Sequence, residues 1–119
     1  MNNPFFTVVI PTYNQAQLLK TCLNSVFKQT FNNYEIIVID NYSNDNTSDI
    51  VRKNNKKIVY KKINNNGVIA KSRNLGIKLS KGKWIAFLDS DDYWDKNKLK
   101  KIYQLISKNS FKVICHSVW

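Results

Sequence analysis

Apolar and polar positions alternate along the chain in blocks of two kinds. Short continuous apolar runs, rich in β-branched residues, stand at Thr7–Ile10 (TVVI), Tyr34–Ile39 (YEIIVI) and Trp84–Leu88 (WIAFL). Each is too short for a helix and reads as a strand buried on both faces. Ile58–Ile63 (IVYKKI) is more mixed and predicts a strand near an edge, and Phe111–Cys115 (FKVIC) predicts a last strand. Between these runs the period changes. Leu19, Cys22, Leu23 and Val26 fall at i, i+3, i+4 and i+7, one face of a helix, and Leu99, Ile102, Tyr103 and Ile106 repeat that spacing. Val68–Leu79 predicts a further helix, closed by the turn at Gly82. A short helix through Arg52 can be capped by Asn46 or Thr47, and the first helix by Asn14 with Gln17 as its capping-box partner. The order β-α-β-α-β-α-β-α-β predicts a single α/β domain over residues 1–119, its mostly parallel sheet covered by helices on both faces.

In such sheets ligands bind beyond the carboxyl ends of the strands. Three predicted strand ends carry polar residues: Pro11–Asn14, Asp40–Asn41 and Asp89–Asp92. The last is the sharpest feature. The apolar run WIAFL stops at a cluster holding three of the chain's eight acids. Asp89 and Asp91, spaced D-x-D after a strand, are candidate ligands for Mg²⁺ or Mn²⁺, hard cations that take carboxylates, water and phosphate oxygens. Helix capping by the same acids is the plainer alternative. Asp40 can accept hydrogen bonds from a base or ribose, or serve a turn; the turn role suits Asp45 better. Arg73 is one of two arginines against seventeen lysines. Its fork suits phosphate or base atoms, with a solvated helix charge as the alternative.

Composition changes the picture little. Lys plus Arg is 19 and Asp plus Glu 8, a net charge of +11, which attracts polyanions. The crowding of Lys and Asn together reads as compositional bias and solubility. Cys22 and Cys115 lack metal-ligand spacing and lie in apolar patterns, as buried thiols do. His116, the sole histidine, follows an apolar run and reads as structural. Tyr93 and Trp94 read as packing for the loop after the acids. No apolar run reaches the ~20 residues of a membrane span, and MNNPFF lacks the pattern of a signal peptide. A cytoplasmic protein is expected, with peripheral contact to an anionic membrane left open by the charge. The apolar ending FKVICHSVW predicts an N-terminal piece of something longer.

Four segments in order, PTYN at 11–14, IIVIDNYSNDNT at 36–47, NNGVIAKSRNLGI at 65–77 and GKWIAFLDSDDYW at 82–94, together resemble the successive motifs of family 2 glycosyltransferases. The resemblance implies a GT-A fold, with this chain as its nucleotide-binding portion and the acceptor half absent. It implies an inverting transfer of a sugar from a nucleotide diphosphate, UDP by family frequency, to a carbohydrate or lipid-linked acceptor. Residue by residue, it places Thr12 and Asp40 against the nucleobase and Arg73 near base and phosphates. Asp89 goes to the ribose and metal, and Asp91 becomes the principal ligand of Mn²⁺ or Mg²⁺. Tyr13 and Asn14 shape the rim, Asn41 stands where many relatives have Asp, and Asp92 neighbours the site. The general base is implied beyond Trp119, so no catalytic residue is assigned. PTYNQAQ lacks the glycines of a nucleotidyltransferase or dinucleotide loop. A non-catalytic nucleotide-binding fragment and a basic polyanion- or nucleic-acid-binding domain remain as alternatives.

Overall fold

A computed structural model describes residues 3–54, 58–110 and 112–114. Its elements are β1 (Phe6–Thr12), α1 (Ala16–Phe27), β2 (Tyr34–Asp40), α2 (Thr47–Arg52), β3 (Ile58–Lys62), α3 (Ile69–Leu79), β4 (Trp84–Phe87) and α4 (Lys98–Lys108). The four strands form one parallel sheet in the order β3-β2-β1-β4. The register sets Phe6 beside Tyr34 and Trp84, and Thr12 beside Asp40. This is a doubly wound arrangement. From β1 the chain builds outward to β2 and β3, then returns to the other side of β1 as β4. The reversal makes the β1–β4 edge a topological switch point.

Burial explains the apolar runs. Val8, Val9, Ile10, Ile36, Ile37, Val38 and Ile39 are all fully buried, because helices cover both faces. Phe6, Val8, Ile10, Ile36 and Val38 face one layer, joined by Leu19, Cys22, Leu23 and Val26 of α1, Ile50 and Val51 of α2, and Leu99 of α4. The other face carries α3. A Cβ at Gly76 would lie 2.4 Å from Val9 Cγ1, so α3 rests with its backbone directly on β1. None of the helices among the described residues is long and apolar enough to cross a membrane.

Several local expectations need correction. Asn14 does not cap α1. It adopts a left-handed φ of 50°, and Gln15 holds the N-cap position without a side-chain cap bond. The orphan Ala16 N–H donates instead to the Asp45 carboxylate, 29 residues away, at 3.0 Å. Gln17 is exposed and forms no capping box. Asn46 precedes α2 but makes no cap bond either; Thr47 N–H and Oγ1 both donate to Asp45 Oδ1. β4 is half-exposed rather than buried, since it is the sheet's edge among the described residues, with Phe87 at 45% exposure. Of the expected strand Phe111–Cys115, Lys112–Ile114 are not in a strand, and Phe111, Cys115 and the following His116 lie outside the described residues.

Candidate functional site

The carboxyl ends of β1 and β4 open into a cleft of about 330 Å³. Three segments distant in sequence line it. Pro11, Thr12, Tyr13 and Gln15 come from the end of β1, and Asn65, Ile69, Ser72 and Arg73 from the loop and first turns of α3. Asp89, Ser90 and Asp91 come from the loop after β4. Thr12, Arg73, Asp89 and Asp91 are thus brought together as expected from sequence.

Each wall is fixed by local chemistry. Thr12 ends β1, is 6% exposed, and its Oγ1 is the buried side-chain polar atom left without a partner among the described residues. A buried hydroxyl without a partner is costly unless something completes it. Arg73 lies on α3 where the buried Ser72 locks the helix: Asn65 Nδ2 donates to Ser72 Oγ at 3.0 Å. Asn65 Oδ1 in turn accepts from Gly67 N–H, and Asn41 Oδ1 accepts from Asn65 N–H. The Arg73 guanidinium donates to Asp89 Oδ1 at 3.1 Å, and its Cζ sits 6.0 Å from the centroid of the Phe87 ring. Both partners of that ion pair are substantially exposed, so solvent screens it.

The acidic loop is held from below by α1. Ser90 Oγ donates to Gln15 Oε1, and Cys22 Sγ to the Asp89 carbonyl at 3.6 Å. Burial, with the carboxylates of Asp92, Asp89 and Asp91 adding to it, pushes the Cys22 thiol up to about 12, so it stays protonated and can donate. Further along, Trp94 N–H donates to Ser25 Oγ, Gln29 Nε2 donates to the Asp95 carbonyl, and Gln29 Oε1 accepts from Leu99 N–H in the first turn of α4. Gln29 is thus a buried cap for α4 that sequence reading missed; nothing local marks a residue 70 positions before the amide it serves. Trp94 is buried as expected for a packing residue, whereas Tyr93 is 63% exposed.

Asp40 is the residue that the structure does not bring into the cleft lining. It is 1% exposed, and both its oxygens accept hydrogen bonds nearby. Its Oδ1 accepts from the N–H and Oγ of Ser43, and its Oδ2 from the Tyr60 hydroxyl. Burial and this carboxylate raise the Tyr60 phenol above its ordinary value. Ser43 Oγ also accepts from Asn14 N–H at 2.8 Å, and Asn14 Oδ1 from Asn44 N–H at 2.7 Å. Asp40 therefore anchors the segment that forms the cleft rim. Asn65 and Ser72 are cleft residues that sequence reading did not single out; both lie within NNGVIAKSRNLGI, where Arg73 alone was given a role.

The donor set at the mouth suits a hard divalent cation. Asp91 has no hydrogen-bond or ion-pair partner among the described residues, and Asp89 beside it is engaged by Arg73 through one oxygen. Such cations take one or two carboxylates and fill the remaining positions with water and phosphate oxygens. Among the described residues no group of three or more His, Cys, Asp or Glu side chains converges as a protein-only metal cage.

A parallel, doubly wound sheet with a cleft at its switch point defines the class: an open α/β domain of the kind that takes ligands beyond the carboxyl ends of its strands. The family follows from comparison with known proteins. The profile of glycosyl transferase family 2 matches residues 7–119, and the chain belongs to that family. It is 42% identical over 107 residues to an uncharacterised glycosyltransferase of Rickettsia bellii, covering 88% of this chain and 15% of that protein. It is 36% identical over 114 residues to the poly(ribitol-phosphate) β-N-acetylglucosaminyltransferase TarS of Staphylococcus aureus, covering 92% of this chain and 20% of TarS. The crystal structure of S. aureus TarS 1–349 in complex with UDP-GlcNAc matches with a TM-score of 0.82 over 87% of this chain and 31% of that one. The mannosyltransferase PcManGT of Pyrobaculum calidifontis, in complex with GDP-Man and Mn²⁺, shares the fold: TM-score 0.78 at 23% identity, over 90% of this chain and 33% of that one. The chain spans less than half the length of each of these relatives.

Proposed function

We propose that this chain is the donor-binding unit of an inverting glycosyltransferase of the hexosyltransferase type. It takes a UDP-sugar and serves transfer to the hydroxyl of a carbohydrate or lipid-linked acceptor, as in polysaccharide or glycoconjugate synthesis. The observation that carries this reading is the convergence of Thr12, Arg73, Asp89 and Asp91, from three separated segments, on one cleft. The unpartnered Thr12 hydroxyl meets the base, with Asp40 behind it holding the rim. Arg73 meets base and phosphates. Asp89 lies toward the ribose, and Asp91 with Asp89 would hold Mn²⁺ or Mg²⁺. When bound, such a cation offsets the charge of the departing diphosphate. The complex of TarS with UDP-GlcNAc, from a structure 36% identical to this chain, supports this donor class. Residues 1–119 act as one unit, and the acceptor site and general base belong to the remaining length that relatives possess. The basic surface fits a cytoplasmic enzyme working at the inner face of a membrane.

The test is calorimetry of the chain with UDP, with and without MnCl₂. Saturable binding that tightens with Mn²⁺ is expected in the parent. Asp91→Ala should abolish the Mn²⁺-dependent gain, and Asp91→Asn should weaken it strongly. A gain unchanged in both variants would refute the metal assignment. No UDP binding under any condition would overturn the donor-binding reading itself.

A further inference from the structure

The N-cap of α1 is occupied by glutamine, a poor choice for that position by local rules. Its side chain makes no cap bond, and the cap is supplied across the molecule by Asp45. What the Gln15 amide does instead is accept the Ser90 hydroxyl, 75 residues away. Ser90 is 3% exposed and stands between Asp89 and Asp91. Its hydrogen bond therefore fixes the backbone from which both carboxylates project. Three carboxylates in four residues repel one another, and a free loop would spread them. Arg73 offsets Asp89 on one side. The Gln15–Ser90 bond and the bond from Cys22 to the Asp89 carbonyl restrain the loop on the other.

Resting on the donor-site reading above, we propose that Gln15 and Ser90 act as a pair of positioning residues that set the geometry of Asp89 and Asp91 for the divalent cation. The end of β1 with Gln15, and the acidic loop, are two of the three segments that line the cleft, and this bond joins them. The first meets the nucleoside and the second the cation and diphosphate. The pair thereby fixes the distance between the two halves of the ligand.

The test compares UDP affinity without and with MnCl₂ by calorimetry, in the parent, Gln15→Leu, Ser90→Ala, the double variant and Ser90→Thr. The readout is the ratio of the two affinities, which a loss of global stability does not move while the protein stays folded. Each single variant should lower that ratio about fivefold, the worth of one hydrogen bond. The double variant should lose no more than either single one, because both remove the same bond. Ser90→Thr, which keeps the hydroxyl, should restore most of the ratio. If Gln15→Leu does not fold, Ser90→Ala against Ser90→Thr decides alone. Ratios equal to the parent's in the single variants, or losses that add in the double, overturn the proposal. Absence of any Mn²⁺-dependent gain in the parent would instead overturn the donor-site reading.

Discussion

At the residue scale, the side chains that shape the site work over long sequence distances. Asp45 shows this most clearly. It accepts from Ala16 N–H at the start of α1 and from both donors of Thr47 at the start of α2. One carboxylate thus serves two helix N-termini, where negative charge also suits the helix dipoles. Its carboxyl is held below the ordinary aspartate value, first by the Thr47 hydroxyl and further by backbone donors, against a desolvation cost. The ionised form is therefore the stabilising one. Its contribution is full above the unfolded-state value and is lost as pH falls through the folded one. Asp45→Ala should cost about 1 kcal/mol at neutral pH, given how exposed the group is. Urea denaturation at about pH 7 and about pH 3 should show the difference from the parent shrinking at the acid end. A difference independent of pH would mean that the charge plays no part. From sequence, the residues of this loop were readable as turn formers, and Asp45 as a turn or cap acid. Which amide it caps was not, because capping rules are local and Ala16 is not. The same holds for Asn14, whose left-handed backbone removes it from the cap.

At the element scale, β1, β2 and the buried face of α1 were legible because helices cover the sheet and apolar runs report that directly. Leu19, Cys22, Leu23 and Val26 are all buried, as their spacing implied. The exposure of β4 was not legible. WIAF has the composition of an interior strand, yet among the described residues only β1 pairs with it. Composition reports the capacity to be buried and not the neighbour that does it. α3 is the element on which the cleft depends most, since it carries Ser72 and Arg73. Its seat on β1 is set by Gly76. Replacing Gly76 with Ala should gain about 1 kcal/mol of helix propensity. It would also place a methyl carbon 2.4 Å from Val9 Cγ1. Val9 is β-branched and fully buried, with little rotamer freedom to yield. Overpacking of this kind costs about 1–3 kcal/mol, so the clash should win. Gly76→Ala is expected to lower the urea midpoint and, by lifting α3, to weaken UDP binding through Arg73. Unchanged stability together with unchanged affinity would show that Val9 and the helix adjust freely.

At the scale of the whole molecule, net charge and site charge have opposite signs. The chain carries +11 overall, but the ionised side chains lining the cleft are two carboxylates, Asp89 and Asp91, against one guanidinium, Arg73. The bulk charge will draw any polyanion toward the surface, while the cleft itself opposes a diphosphate unless a cation intervenes. This distinction separates the donor-site reading from the polyanion-binding one, which composition alone could not do. A ligand held in the cleft through a cation and a few directed hydrogen bonds releases few counterions. A nucleic acid held by many lysines releases many. Raising NaCl from about 50 to about 200 mM should therefore change Mn²⁺-dependent UDP affinity by less than about threefold, while binding to random-sequence DNA should fall by about a thousandfold. Parallel titrations of UDP by calorimetry and labelled DNA by anisotropy would measure both slopes on one preparation. A steep salt slope for UDP, matching that for DNA, would mean that the lysine-rich surface and not the cleft holds the nucleotide. A shallow slope for UDP that disappears when Mn²⁺ is chelated would place binding at the carboxylates of the β4 loop.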